Sequence, residues 1–308
     1  MPPHHSTLLR AGLLLMASGA AVEAAAARCT GHGVEVQVLG SGGPEVEGKR
    51  ASSSYLVWRD GKARVLIDAS GGSALRFGES AAHTADLVAI LLSHLHIDHT
   101  GDLPALFLSS YFGERKSALP VFGPVGNGDF PTTTAFIAAL FDPAHGAYRY
   151  LGNYLRGRDD GYRVEPHDVL LAPRDVSKLS SIDGIVLSAT TVIHSSTPAL
   201  AWRVDVDDRS VVFSGDTNGD NGNLQLLAKG ADLLIAHNAI PEGTDGPPRA
   251  LHMPPSVIGF IAKTAAVRHL VLSHRMLRTL GREDETLRVI RHNYAGPVDF
   301  ANDLDCFH

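Results

Sequence analysis

The sequence is short of the features that mark several classes of protein. It has only two cysteines in 308 residues, which excludes a small disulfide-framework protein. Its 27 basic and 33 acidic side chains give a net charge of −6, so the basic excess typical of nucleic-acid-binding proteins is lacking. No repeat period appears and 44% of the residues are hydrophobic, which excludes disordered and collagen-like chains. The chain is long enough to bury a sizeable core.

The N-terminus carries an uncharged apolar run at residues 11–22, which follows Arg10 and precedes four alanines at 24–27. The run is too short to span a bilayer. A positive start, a short apolar core and small residues are typical of a secretory signal peptide. We therefore predict a cleaved signal peptide over residues 1–27, one domain over 28–308, and a periplasmic or secreted protein without a membrane span.

The two cysteines, Cys29 and Cys306, lie near opposite ends of the predicted mature chain. Export would place them in an oxidising compartment, where disulfides persist. The termini of a domain often lie close together. A disulfide between them is the hypothesis we favour, and two unpaired thiols are the alternative.

Segments with strand-like patterns outnumber helical ones, and the two kinds interleave along the chain. Residues 87–92 form a continuous apolar run that suits a strand buried on both faces. Residues 103–112 read as a helix with Asp102 as its N-cap, and residues 126–166 as a mostly helical insertion. The interleaving indicates a layered α/β fold with mixed sheets.

Histidine is abundant, with 16 in the chain, and four metal-ligand-type side chains follow the apolar run at 87–92 within six positions. They are His94, His96, Asp98 and His99. In an extended backbone, residues two apart point to the same side, so His94 and His96 face one point. Burying so many ionisable groups without a metal would be costly. The cluster therefore predicts a metal site at the end of a buried strand.

Three more candidate ligands each end an apolar, strand-like run: His194, Asp216 and His274. Strand ends at one edge of an α/β sheet commonly build the functional site. Seven ligands suffice for two zinc ions. His94, His96 and His194 would hold one and Asp98, His99 and His274 the other, with Asp216 between them. Nitrogen and oxygen ligands suit zinc, and manganese and iron stay open as alternatives.

This constellation resembles that of the metallo-β-lactamase-fold hydrolases. The matching elements are His94-x-His96-x-Asp98-His99, then His194, Gly215-Asp216-Thr217 and Ser273-His274, in that order. The resemblance implies a four-layer αββα sandwich, with a dinuclear site at one edge of the two sheets. It also implies that a hydroxide bridging the metals attacks the substrate, with Asp98 as a catalytic residue. Asp68, which follows a strand, would support the ligand loop from behind.

A closer likeness is to the branch that contains ribonuclease Z and arylsulfatases of this fold. It rests on LGSGGP (39–44), SHLHIDHTGDLPALF (93–107), FSGDTN (213–218) and HLVLSH (269–274). The likeness suggests His252 as a proton donor to the leaving group or an oxyanion contact. The alternative for His252 is a structural residue at a helix entry. In ribonuclease Z a His-Glu pair stands where this chain has His237-Asn238, so the acidic partner is lacking.

Two residues are candidates for substrate binding: His237, and Arg275 directly after His274. For Arg275 a salt bridge is an equally good interpretation. The expected function is that of an exported dinuclear zinc hydrolase cleaving a small ester, either a phosphodiester or an aryl sulfate. We do not expect nucleic acid as a partner, because no clustered basic track is present, and we leave a homodimer open. The alternatives are a lactonase or thioesterase of the same fold and a non-catalytic periplasmic zinc-binding protein.

Overall fold

The computed structural model describes residues 29–157 and 162–308. The predicted signal peptide at 1–27 lies outside the described residues. The strands are β1 (Val34–Gly40), β2 (Ser54–Arg59), β3 (Lys62–Ile67), β4 (Ala89–Leu91), β5 (Leu119–Pro124), β6 (Val164–Val169), β7 (Ser177–Ile182), β8 (Ile185–His194), β9 (Thr197–Val206), β10 (Arg209–Phe213), β11 (Leu233–His237), β12 (His269–Ser273), β13 (Val298–Phe300) and β14 (Cys306–Phe307). The helices are α1 (Ser73–Glu79), α2 (Ile97–Thr100), α3 (Leu103–Tyr111), α4 (Thr133–Phe141), α5 (Asn153–Arg156), α6 (Asn223–Leu227), α7 (Pro247–Leu251), α8 (Pro255–Thr264) and α9 (Glu283–Arg291).

Within the described residues the strands form two mixed sheets of seven. The first has the order β14-β1-β2-β3-β4-β5-β6 and the second the order β13-β12-β11-β10-β9-β8-β7. Strands β3 to β6 run parallel to one another, as do β10 to β13. The hairpin between β2 and β3 turns at Asp60 and Gly61, both at positive φ, as a two-residue type I′ turn requires.

Three apolar layers hold the molecule together, because each sheet is buried on both faces. The layer between the sheets includes Val36, Tyr55, Trp202 and Phe213. The outer face of the first sheet packs against α1, α3 and α4 through Leu66, Phe107 and Phe141. The outer face of the second sheet packs against α6, α8 and α9 through Leu234, Ile258 and Ile290. Full burial of one such side chain is worth about 1.5–3 kcal/mol. The helix–sheet–sheet–helix order confirms the expected αββα sandwich.

Hydrogen bonds from the middle of β9 also join the second sheet to the end of β4 in the first. The backbone N–H of Leu200 in β9 donates to the Ser93 carbonyl at 2.8 Å. The buried indole of Trp202 donates to the Leu92 carbonyl at 3.0 Å. Both acceptors lie directly after β4, so the loop that leaves the first sheet is fixed against the second.

Two local predictions need correction. Asp102 does not cap α3 with its side chain, because that carboxylate accepts the Ala74 N–H at 2.9 Å and joins α1 instead. The segment predicted as a mostly helical insertion ends in a strand, β6, which adds an edge to the first sheet through β5. The alternating burial along β6 is weak, which explains why its pattern does not stand out in the sequence.

Cys29 and Cys306 form a disulfide, with their Cα atoms 5.4 Å apart. The bond joins residues that are 277 positions apart. It also fixes the C-terminal strand β14, whose two residues pair with β1. Both ends of the described chain are thereby attached to the edge of the first sheet, as the disulfide hypothesis expects.

Candidate metal centre

The loop after β4 carries four of the predicted ligands. His96 has extended backbone angles, φ −66° and ψ 152°, and α2 begins at the next residue. His94 Nε2 and His96 Nδ1 lie 3.0 Å apart, so the two rings turn to one point as their spacing predicts. The helical turn of α2 then directs Asp98 and His99 to a neighbouring point.

The second sheet brings its three predicted ligands to the same place from three strand ends. His194 is the last residue of β8, Asp216 follows β10, and His274 follows β12. His194 Nε2 lies 3.4 Å from His96 Nδ1. The seven side chains form overlapping groups whose ligand atoms lie within 4.8 Å of one another: His94 with His96 and His194, His94 with His99 and Asp216, and Asp98 with His99 and His274.

Asp216 lies between the two halves of this cluster. Its Oδ2 is 3.7 Å from His194 Nε2 and 3.8 Å from His99 Nε2. Its Oδ1 is 3.3 Å from His274 Nε2, which is itself 3.5 Å from Asp98 Oδ2. One carboxylate therefore faces histidines of both proposed ligand sets.

Asp68 holds His99 in position from behind. Its Oδ2 accepts from His99 Nδ1 at 2.7 Å, and its two oxygens also accept from the Ser93 N–H and hydroxyl at 2.7 and 2.8 Å. Because a carboxylate only accepts hydrogen bonds, His99 carries its proton on Nδ1 and turns Nε2 towards the cluster. This is the supporting position that the family resemblance implies for Asp68.

The second-sheet ligands have supports of their own. His194 Nδ1 donates to the Leu251 carbonyl at 2.9 Å, which leaves Nε2 free for a ligand. His237 Nδ1 donates to Asp216 Oδ1 at 2.6 Å. The Tyr55 hydroxyl lies 3.0 Å from His237 Nε2 and donates to it. Both ring nitrogens of His237 are thus engaged and the ring is buried, so it positions Asp216 and has no nitrogen to offer a substrate.

The cluster contains two carboxylates whose pKa values are lowered. Burial opposes ionisation of Asp216, but the charges of His274 and His252 and the His237 hydrogen bond hold its pKa well below the usual range. Burial likewise opposes ionisation of Asp98, yet the His274 ring 3.5 Å away and the His99 charge lower its pKa to about 2. Both carboxylates are therefore anionic at neutral pH.

The donor atoms fit divalent cations. His99 Nε2 and both ring nitrogens of His274 are buried and have no hydrogen-bond partner. Unpaired buried nitrogens beside anionic carboxylates are costly, and a cation would satisfy both at once. Imidazole and carboxylate together suit zinc. Manganese and iron accept the same nitrogen and oxygen donors.

His252 faces the cluster, whereas Arg275 points away from it. His252 caps the end of α7, and its Nδ1 lies 3.8 Å from Asp216 Oδ2, is buried and has no hydrogen-bond partner. The Arg275 side chain is 6% exposed, forms an ion pair with Glu283 and stacks over the Phe300 ring. The salt-bridge interpretation of Arg275 therefore describes the structure, and its guanidinium is occupied away from the cluster.

Sequence reasoning missed a different arginine. Arg278 donates from Nε to the Ala239 carbonyl at 2.6 Å, beside the end of β11. Its charge reaches His252, whose pKa is lowered to about 3 chiefly by burial and further by His274, His194 and Arg278. Arg278 is half-buried, and none of the carboxylates described pairs with it. Only its position four residues after His274 offered a clue.

The loop between β1 and β2 packs closely against the ring of His274. A Cβ at Gly43 would lie 2.9 Å from His274 Cε1, so the close approach of loop and ring requires glycine. The loop is held by Asp303 of the C-terminal tail, whose Oδ1 accepts from the Ser41 N–H and hydroxyl at 3.0 and 2.8 Å. The tail fixed by the disulfide thus reaches the cluster through one loop.

Comparison with known proteins agrees with this arrangement. The family model of the metallo-beta-lactamase superfamily matches residues 48–254, a span that holds six of the seven predicted ligands. The chain belongs to this superfamily. Its members use divalent metals, and the chain is accordingly a metal-dependent hydrolase by family.

Individual members of the superfamily are similar over most of the chain. Ribonuclease Z of Mycobacterium sp. (strain KMS) is 34% identical over 217 residues, covering 67% of this chain and 69% of the relative. Ribonuclease Z of Mycolicibacterium paratuberculosis (strain ATCC BAA-968 / K-10) is 31% identical, covering 88% and 96%. The crystal structure of the metallo-beta-lactamase fold protein YhfI from Bacillus subtilis has a TM-score of 0.68 at 21% identity, covering 89% and 98%. That structure supports the fold alone.

The described helices include none that is both long enough and apolar enough to cross a membrane.

Proposed function

We propose that this chain is an exported hydrolase with two zinc ions that cleaves a phosphodiester or an aryl sulfate. The observation that carries the proposal is the position of Asp216 within 3.3–3.8 Å of imidazoles from both ligand groups. A carboxylate shared in this way suits a pair of cations. Phosphodiesters and sulfates present tetrahedral anions that two cations can clamp.

The side chains around that anion would have different roles. Bound cations would supply Lewis acidity, which activates water and neutralises charge on the ester. Asp98 is ionised and its side chain is 11% exposed, so it would help hold a cation and accept a hydrogen bond from the attacking water. His252 is neutral at pH 7 because of its burial, so it would serve as a neutral hydrogen-bond contact to the developing oxyanion and not as a charged acid. Arg278, whose charge lowers the pKa of His252, would supply a positive charge to the substrate anion.

Metal content is the first test. Elemental analysis of purified protein should find about two zinc per chain, since two complete ligand groups are present. Dialysis against a chelator should abolish turnover, and added zinc should restore it. Full activity in protein that is free of metal would overturn the proposal.

The substrate class needs a direct comparison. Turnover of a nitrophenyl phosphodiester, a nitrophenyl sulfate and an acyl lactone should be measured on one preparation, together with a short RNA carrying a 3′ extension. The RNA is included because the relatives are named ribonuclease Z. We expect the phosphodiester or the sulfate to be the best substrate. Preference for the lactone would favour the lactonase alternative, and no turnover at full zinc content would favour a zinc-binding protein.

Export is supported by the apolar run at 11–22 and by the disulfide between Cys29 and Cys306, since disulfides persist mainly in oxidising compartments. Expression of the full chain followed by N-terminal sequencing of the mature protein tests this directly. We expect the sequence to begin near Arg28 and the protein to appear in the periplasmic or secreted fraction. An intact Met1 in the cytoplasmic fraction would refute export.

A further inference from the structure

Phe130 lies beside the cluster on a loop that the metal chemistry does not use. The loop joins β5 to α4 and brings the Phe130 ring to 6.0 Å from the His96 ring, centroid to centroid, with a tilt of 54°. Phe130 is partly exposed and belongs to none of the three apolar clusters found among the described residues. Its ring therefore does not serve the core.

The loop is built to hold this ring in place. The Asn127 side chain accepts from the backbone N–H groups of Asp129 and Phe130, both at 2.9 Å. Its amide donates to the Ser196 carbonyl at 2.8 Å, two residues after the candidate ligand His194. A Cβ at Gly126 would lie 2.4 Å from the Phe130 carbonyl oxygen, so the tight path of the loop requires glycine. Phe130 is thus fixed against the hairpin that carries His194.

The ring also lies on the side from which a substrate must enter. Of the seven candidate ligands, only His96 and Asp98 are not fully buried, so the cluster opens to solvent where these two lie. Phe130 contacts His96 at that opening. The other aromatic ring in contact with a site histidine among the described residues is Tyr55, which is fully buried.

We propose that Phe130 is a specificity-determining residue, whose ring packs against a flat aromatic group of the substrate beside the scissile ester. The inference rests on the proposed ester hydrolysis and narrows its substrate class to aryl or nucleobase-bearing esters. Aromatic pairs contribute beyond the area they bury, and stacking of this kind tolerates different rings because each has a π face. Because Phe130 is already held in place by its loop, its ring loses little conformational freedom when it binds a substrate.

Competitive inhibitors separate the role of the ring from the chemistry. Phenylphosphonate and methylphosphonate carry the same anionic group and differ only in the aromatic substituent. Phe130→Leu should weaken inhibition by phenylphosphonate about fivefold and leave inhibition by methylphosphonate within about twofold. For bis(4-nitrophenyl) phosphate the variant should raise KM with kcat nearly unchanged, since the contact exists in both ground and transition states.

Matched variants make the test decisive. Phe130→Tyr keeps the ring and should retain the preference for phenylphosphonate. Phe112→Leu removes an aromatic side chain that is 80% exposed at the end of α3 and should change neither constant. Asn127→Ala keeps the ring but frees the loop, so its effect should follow that of Phe130→Leu in direction.

The two proposals fail in different ways. If the wild-type protein hydrolyses none of the esters, the proposed function is wrong. If it hydrolyses them but Phe130→Leu leaves the ratio of the two inhibition constants unchanged, the function stands and the role of Phe130 is refuted. Equal inhibition of the wild-type protein by both phosphonates would refute it as well.

Discussion

The two sheets contribute to the cluster in different ways. The first sheet supplies four side chains from the single loop that follows β4, within the six positions 94–99. The second supplies three, one from each of the ends of β8, β10 and β12. In the first set the chain itself fixes the spacing of the ligands. In the second set the spacing depends on the register of strands that are far apart in sequence, so it exists only in the folded sheet.

The supports of the two halves differ in the same sense. Asp68 holds both the Ser93 backbone and His99, so the first half is braced within its own sheet. Asp216 is held by His237, and His237 by Tyr55 of the first sheet. The second half is therefore braced across the gap between the sheets, and its geometry depends on how they pack.

The largest effect is expected at the residue that joins the halves. Asp216→Ala removes the carboxylate shared by both ligand groups, so we expect both ions to bind more weakly and zinc content to fall well below two per chain. Activity on a phosphodiester should fall by about a thousandfold or more. Elemental analysis and initial rates measure both. Asp208→Ala, in the exposed turn between β9 and β10, is the matched control and should keep both zinc ions. If Asp216→Ala also keeps two zinc ions, Asp216 does not join the two ligand groups.

Asp98→Ala should separate the halves instead. It removes a ligand from the group with His99 and His274 but leaves His94, His96 and His194 intact. We expect about one zinc per chain to remain and activity to fall by about a hundredfold to a thousandfold. Circular dichroism should show an unchanged fold. Loss of both ions would show that the halves do not bind independently.

A smaller effect is expected from the support of the first half. Asp68→Asn keeps the shape and an oxygen acceptor but removes the negative charge that raises the pKa of His99, against the effect of burial, to about 9. Such supporting changes typically cost about 10- to 100-fold in metal affinity or activity. Zinc titration with a competing chelator measures the loss. Tyr55→Phe removes one hydrogen bond behind Asp216 and should lower zinc affinity by less than Asp68→Asn does. A larger loss in Tyr55→Phe would contradict the described difference between the supports of the two halves.

The smallest effect on activity is expected at the disulfide, which lies at the edge of the first sheet. Replacing both Cys29 and Cys306 by serine should cost about 3 kcal/mol of stability, which lowers Tm by about 8 °C. Turnover at 25 °C should change by less than about threefold, because the tail reaches the cluster only through the 41–43 loop. A thiol reductant should lower Tm of the wild-type protein and leave that of the variant unchanged; equal shifts in both would refute the assignment.

The sequence was most informative where its signal was local. The motif from His94 to His99 predicted correctly that its side chains meet, because a short extended segment followed by one helical turn is enough to bring them together. It was least informative for contacts made across the fold. Arg275 is next to a ligand in the chain but pairs with Glu283. Arg278, four residues after His274, donates to the Ala239 carbonyl, and its charge lowers the pKa of His252. The strand β6 went unpredicted since its edge position leaves a weak burial pattern.

By itself the sequence determined the layered α/β class, the identity of the candidate ligands and the chemistry that such donors favour, since these follow from residue type and short-range periodicity. Only the tertiary structure decided that Asp216 faces both ligand groups and that both ring nitrogens of His237 form hydrogen bonds, one with Tyr55 and one with Asp216. It also decided that Phe130 lies at the opening of the cluster. Those facts depend on packing two sheets face to face, and the register and separation of distant strands are set by the whole apolar core.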